Sequence, residues 1–179
     1  MKKSAQVPRG FTLVELLVVI AIIAILAAVV VLIINPLELT RRGRDAARLS
    51  DLANLQQAIN VSVQEATSSS AAILCNGGAT PCSGSSNIGG RTSDGSGWVK
   101  VNLSSQQSVS VPTLPVDPIN DTTNHYTYCS DGSGWEINTA LESQQQSSKL
   151  GGDGGEDNNL YEVGSNLGLI KTSGGSCTY

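Results

Sequence analysis

Histidine occurs once in these 179 residues, phenylalanine once, tryptophan twice and tyrosine four times. So few large aromatic groups allow only a small core, and small extracytoplasmic domains often supplement such a core with disulfides. A lone His125 has no second imidazole with which to build a histidine metal centre, and the four cysteines contain no CxxC pair of the kind zinc sites use. No serine sits in a nucleophile elbow, and no base and nucleophile are spaced as a catalytic set. The chain is therefore expected not to be an enzyme. Beyond Asn60 only Arg91, Lys100, Lys149 and Lys171 are basic, against eleven acidic residues. That balance gives no cationic surface, and no nucleic-acid contact is expected. Lastly, Leu16 to Ile34 contains no charge, no proline and no glycine over 19 residues.

What is present is unevenly distributed. As a helix the uncharged stretch would be about 28 Å long at 1.5 Å per residue, close to the hydrocarbon thickness of a bilayer. It has no polar stripe, unlike a core helix, and is longer than the apolar region of a typical secretory signal, with no small-residue cleavage site after it. A membrane helix is the expectation. Lys2, Lys3 and Arg9 before it argue for a cytoplasmic N-terminus, whereas Arg41, Arg42, Arg44 and Arg48 after it argue the reverse. Cys75, Cys82, Cys129 and Cys177 decide the matter, since all four follow the helix and an even number outside a membrane reads as disulfides. The expectation is a single-pass protein of the cytoplasmic membrane, head outside. The arginine cluster is interleaved with Glu38, Asp45 and Asp51, and Glu38–Arg42 and Arg41–Asp45 are i,i+4 neighbours, the pattern of a solvated, self-paired helix face.

Glu15 is not explained by composition. A carboxylate at the start of an apolar span costs a few kcal/mol in lipid unless it snorkels to the interface or finds a buried cation. The run Arg9-Gly10-Phe11-Thr12-Leu13-Val14-Glu15-Leu16 resembles the processing site of type IV prepilins and type II secretion pseudopilins. The resemblance covers about the first 60 residues well and the head loosely. It implies cleavage after Gly10 by a prepilin peptidase, N-methylation of the new Phe11 terminus, and an assembly role for Glu15 as partner of the Phe11 amine on a neighbouring subunit. It also implies the pilin fold: an α+β architecture in which a long N-terminal helix, transmembrane in its first half and amphipathic in its second, packs on a small antiparallel sheet. On this reading residues 1–10 are a leader, 11–35 a transmembrane and filament-core helix, 36–70 its amphipathic continuation, and 71–179 a disulfide-stapled, loop-rich β head. The implied partners are further copies of the chain in a helical filament, the membrane, and the pilus assembly machinery.

Beyond the membrane, Leu49, Leu52, Leu55, Ile59, Val63 and Ala66 recur at helical spacing and predict a buried stripe ending near Ser68 to Ser70. Pro36 is expected to kink the helix near Leu32 to Ile34. Residues 73–97 read as a Gly/Ser/Asn loop, and Trp98 to Leu103 alternates like a strand. Leu114-Pro115-Val116-Asp117-Pro118 is an extended connector that resembles the Pro-x-Asp-Pro segment of pseudopilins. His125–Cys129 and Trp135–Leu141 predict a hairpin around Ser130 to Gly134, with His125 half exposed, and Leu167 to Lys171 a last short strand. Four cysteines allow three connectivities, and sequence does not choose among them; the pairing adopted is Cys75–Cys82, a local staple, and Cys129–Cys177, tying the C-terminal end to the hairpin.

No metal or other cofactor is expected as a resident group. The one weak ligand candidate is residues 151–159, where Asp153, Glu156 and Asp157 lie among glycines and asparagines. Carboxylates on such a loop suit calcium, which some pseudopilins bind in this part of the head, although the full calcium-loop spacing is missing; a solvated acidic loop is the other reading. Two functions remain in competition. One is a filament subunit, whether a surface pilin for adhesion, motility or DNA uptake, or a type II secretion pseudopilin. The other is a signal-anchored surface binding module that never polymerises.

Overall fold

Thr12 opens the first helix, α1 (Leu13–Ile34), and an asparagine closes it: Asn35 adopts φ 46°, ψ 77°, a left-handed conformation that asparagine tolerates better than most residues. The computed structural model describes residues 10–104, 108, 111–171 and 175–178, apart from the Leu32 side chain. The basic leader expected over residues 1–9 lies outside that set. The chain divides into two units, residues 1–39 and 40–179.

In the first unit the apolar side chains of α1 are exposed among the described residues. Leu13, Val18, Ile23, Leu26 and Val30 are each about half exposed or more. Leu13–Val31 is long and apolar enough to cross a membrane, and none of it is buried within the molecule. The interruption expected within Leu32–Ile34 falls instead at Asn35. Pro36 does not bend a continuous helix; it occupies the first position of the next one, α2 (Pro36–Glu65), where its missing N–H has no intrahelical partner to lose.

The second unit holds a four-stranded antiparallel sheet in sequential order, β1 (Cys82–Ser85), β2 (Tyr126–Ser130), β3 (Trp135–Thr139) and β4 (Tyr161–Gly164). Leu52, Leu55, Ala58 and Ile59 of α2 share one core with Tyr126, Tyr128, Trp135, Ile137 and Val163. The expected stripe is buried at Leu52, Leu55 and Ile59 and half-buried at Leu49 and Val63, but α2 stops at Glu65, before Ala66 and the predicted Ser68, and a separate short helix α3 (Ser70–Leu74) follows a Ser69 cap. The scarce aromatics are concentrated here. Trp98 and Tyr126 rings lie 5.9 Å apart, Trp98 donates its indole N–H to the Pro115 carbonyl at 2.9 Å, and Tyr128 donates its hydroxyl to the Leu74 carbonyl at 2.7 Å. Full burial of each such side chain contributes roughly 1.5–3 kcal/mol.

The predicted β2–β3 hairpin is present, with Tyr128 opposite Ile137. Three other expectations need correction. Trp98 to Leu103 is not a strand: Trp98, Val99, Val101 and Leu103 are all buried, while the Trp98 and Leu103 N–H groups donate to the Gly90 and Ser93 carbonyls of the chain just before them. Leu167 to Lys171 contributes only an isolated bridge, Ile170 to Cys177. His125 is buried, not half exposed.

Candidate functional site

The N-terminal motif forms a capping box. Thr12 is extended (φ −82°, ψ 150°), and its hydroxyl oxygen accepts the Glu15 N–H at 3.3 Å. In return Glu15 Oε2 accepts the Thr12 N–H at 2.9 Å and the Thr12 hydroxyl at 2.7 Å. The Glu15 carboxylate thus covers a donor that the first turn of a helix leaves without a partner, and its charge lies at the favourable end of the helix dipole. Thr followed three residues later by Glu is the spacing that signals this arrangement, a signal the sequence reading passed over. Phe11 is 84% exposed, and a Cβ built on Gly10 would meet nothing within 4 Å. Among the described residues nothing around this junction requires glycine.

A second cluster joins α2 to two loops. Arg48 is fully buried and bidentate on Asp117, through Nε at 2.6 Å and Nη2 at 3.0 Å. Its Nη1 donates to Asp45 Oδ1 at 2.8 Å and Glu142 Oε2 at 2.7 Å, and Arg44 grips both Glu142 oxygens at 2.7 Å. Asp45 accepts the Glu142 and Ser143 N–H groups, and Asp117 accepts those of Ile119 and Asn120. Hydrogen bonding from Arg44, and then from Arg48, holds the Glu142 carboxyl down to about 2. Burial alone would lower the Arg48 pKa, but Asp117, Glu142 and Asp45 more than reverse it, so the guanidinium stays charged. The solvated, self-paired face expected for the arginine cluster is therefore wrong at Arg44 and Arg48: apart from the local Arg48–Asp45 bond, their acidic partners lie 69 to 98 residues away. This network anchors the Pro115–Pro118 connector. Burial pushes His125 below its ordinary value, which keeps it neutral at neutral pH.

The acidic loop is organised by its own backbone. Asp153 accepts the Gly155 N–H at 3.0 Å and the Glu162 N–H at 2.8 Å, and Asp157 Oδ1 accepts the Asn159 backbone and side-chain N–H groups, each at 2.9 Å. Glu156 is exposed. Among the described residues no three Asp, Glu, His or Cys side chains are gathered so as to hold a metal ion. The loop packs closely against β4, since a Cβ on Gly155 would collide with the Glu162 carboxylate. Disulfides join Cys75 to Cys82 and Cys129 to Cys177.

Residues 8–31 match the family model described as the prokaryotic N-terminal methylation motif, the hallmark of type IV pilin and pseudopilin precursors. No curated protein and no solved structure matches the chain. The match spans the methylation junction, the capping box and most of α1. The match gives the chain a pilin-type N-terminus, and the exposed apolar helix with the small antiparallel sheet is an α+β architecture consistent with the pilin fold.

Proposed function

We propose that this chain is the precursor of a structural subunit of a type IV pilus-like filament, with no catalytic task of its own. It is stored in the cytoplasmic membrane with its head outside. A prepilin peptidase adds water across the Gly10–Phe11 peptide bond on the cytoplasmic side, leaving the leader with a carboxylate and the subunit with a Phe11 ammonium that is then N-methylated. The observation that carries this reading is the methylation motif over residues 8–31, joined to a helix whose apolar surface the chain leaves uncovered. Copies of that helix supply its cover in the filament core. The open space around Gly10 supports the same reading, because glycine there answers to an enzyme's cleft and not to the fold.

In the precursor the Phe11 nitrogen is an amide and Glu15 is bound to Thr12. Cleavage creates a cation, and in a water-free core the Glu15 carboxylate requires one. Pairing between neighbouring subunits removes the penalty on both charges and sets their axial register. Within this reading the two-disulfide head fits a surface pilus, and one segment fits the alternative, a secretion pseudopilus. Asp117, from the segment that resembles the pseudopilin Pro-x-Asp-Pro run, is the buried bidentate partner of Arg48. N-terminal mass spectrometry of the mature protein tests the processing step. A methylated Phe11 terminus is expected, with Gly10→Val retained as uncut precursor in the membrane. An intact leader on the functional form contradicts it.

A further inference from the structure

The sheet has a second face, and it is polar. Tyr126, Tyr128, Trp135, Ile137 and Val163 point into the core shared with α2, so the intervening residues point the other way. Thr127, Asn138 and Glu162 are register partners in one row across β2, β3 and β4, and Cys129 and Glu136 are partners in the next. Thr127, Glu136, Asn138 and Glu162 are each at most 2% exposed. Two of them are carboxyls, diagonal neighbours across β3 and β4, where Glu136 pairs with Gly164 and Glu162 with Asn138. Glu136 Oε2 accepts the Leu169 and Ile170 N–H groups at 2.8 and 3.0 Å, and Glu162 Oε2 accepts the Asp157 N–H at 3.3 Å. The remaining oxygen of each, Oε1, meets no donor among the described residues.

Two ionised carboxylates cannot share so dry a site, and one proton between them satisfies both orphaned oxygens. We propose that Glu136 and Glu162 share a single proton and act as a pH-sensitive latch, holding the Leu169–Ile170 segment on the outer face of the sheet. The charged neighbours do not substitute for that proton. The loop over β4 brings Asp153, Glu156 and Asp157, of which Glu156 adds repulsion to both members of the pair. From the C-terminal segment Lys171 lies beside Gly168, where Glu156 is its neighbour. On the sheet the flanking groups are neutral: Thr127, Asn138 and the disulfide-bonded Cys129.

The direction of the pH dependence follows. Burial first, then the bond and repulsion from Glu136, push Glu162 up to about 8 from an ordinary 4.5. A raised carboxyl stabilises the fold fully below the lower value, and the contribution is lost as pH rises toward the higher one. Opening that exposes the pair should therefore become about tenfold more frequent per pH unit between roughly pH 5 and 7.5. Burial also shifts His125 downward and Asp51 upward, so the comparison that matters is parent against Glu162→Gln, in which those contributions cancel. The side-chain amide of that variant supplies a permanent N–H donor to Glu136.

The test is hydrogen exchange at the Leu169 and Ile170 amides of the full chain in detergent from pH 5 to 9, corrected for intrinsic rates, with chelator and with millimolar calcium. Protection in the parent should fall with rising pH, while Glu162→Gln stays level and calcium changes neither. A level parent profile, an equal fall in Glu162→Gln, or rescue by calcium at pH 9 (a metal in the proton's place) overturns the proposal. Should Glu162→Gln not fold, the infrared spectrum of the parent decides alone: a buried carboxylic-acid C=O band persisting at pH 7 supports the shared proton, and its absence refutes it.

Discussion

Replacing Arg48 by alanine leaves Asp45 and Asp117, both buried, without their shared counter-charge, and removes one of the two cations on Glu142. Breaking a buried ion pair from one side costs about 3–5 kcal/mol. Arg48→Ala should lower the melting temperature of the full chain in detergent sharply. Arg48→Lys should also lower it, because an ammonium cannot reproduce the two-pronged grip on Asp117; a melt equal to the parent's for either variant would show the network to be dispensable. The same cluster predicts acid sensitivity. Glu142 is held at about 2, below its ordinary 4.5, so its contribution is present above 4.5 and is lost as pH falls through about 2. A Glu142→Gln variant, compared with the parent by thermal melting from pH 6 to 2, should show a shallower acid limb. At this scale sequence was a partial guide. Glu38 and Asp45 lie within helical reach of the arginines and suggested local pairing, whereas Asp117 and Glu142 reach Arg48 only through tertiary folding. Glu15 was conspicuous because a charge interrupts an apolar run. Its bond to Thr12 is equally local, and Thr followed three residues later by Glu is the signal for it.

Elements were legible where a local pattern and the tertiary environment agreed. The β2–β3 hairpin combines apolar strands with an Asp-Gly-Ser-Gly turn, in which Gly132 takes φ +88° and Asp131 accepts the Ser133 and Gly134 N–H groups. Gly132→Val would be strained at that φ and would place its Cβ 2.7 Å from Thr80 Cγ2 and 3.1 Å from Ala71 Cβ. A loss of about 1–3 kcal/mol is expected in denaturant unfolding, and an unchanged midpoint would contradict the turn assignment. Strand β1, Cys-Ser-Gly-Ser, had no apolar alternation to reveal it and exists because Cys82 to Ser85 pair with β2. The opposite error occurred at Trp98 to Leu103. Alternation was present, with Val99, Val101 and Leu103 buried and Lys100 and Asn102 half-buried, but the backbone bonds locally and pairs only through an isolated Asp94–Asn102 bridge. The Cys129–Cys177 bond spans 48 residues of sequence and ties β2 to the segment that Glu136 also holds. Replacing both cysteines by alanine should cost about 2–4 kcal/mol, measured by denaturant unfolding of the full chain; a cost near zero would mean the carboxyl latch and apolar contacts hold that segment unaided.

Over the whole molecule, charge and hydropathy are segregated as the two units are. An apolar helix uncovered by its own chain is followed by an acidic, cross-linked head with its own core. Composition alone made that division readable, and the methylation motif was readable too, because both are contiguous in sequence. The outer polar face of the sheet was not, since Thr127, Glu136, Asn138 and Glu162 converge only once register is set. The central claim, that cleavage frees a Phe11 ammonium for a neighbour's Glu15, now has a sharper test than charge removal alone. Glu15→Leu removes the carboxylate and the helix cap together, whereas Glu15→Gln retains a side chain able to complete the capping box and loses only the charge. The decisive measurement is the fraction of each protein in the membrane pool and in sheared surface or periplasmic filaments, at matched expression and with cleavage verified. The account predicts that both variants insert and are cut like the parent, yet both are depleted from filaments. Normal incorporation of Glu15→Gln, with Glu15→Leu excluded, would mean that the cap matters and the ion pair does not, and normal incorporation of both would contradict an assembly role for Glu15 altogether.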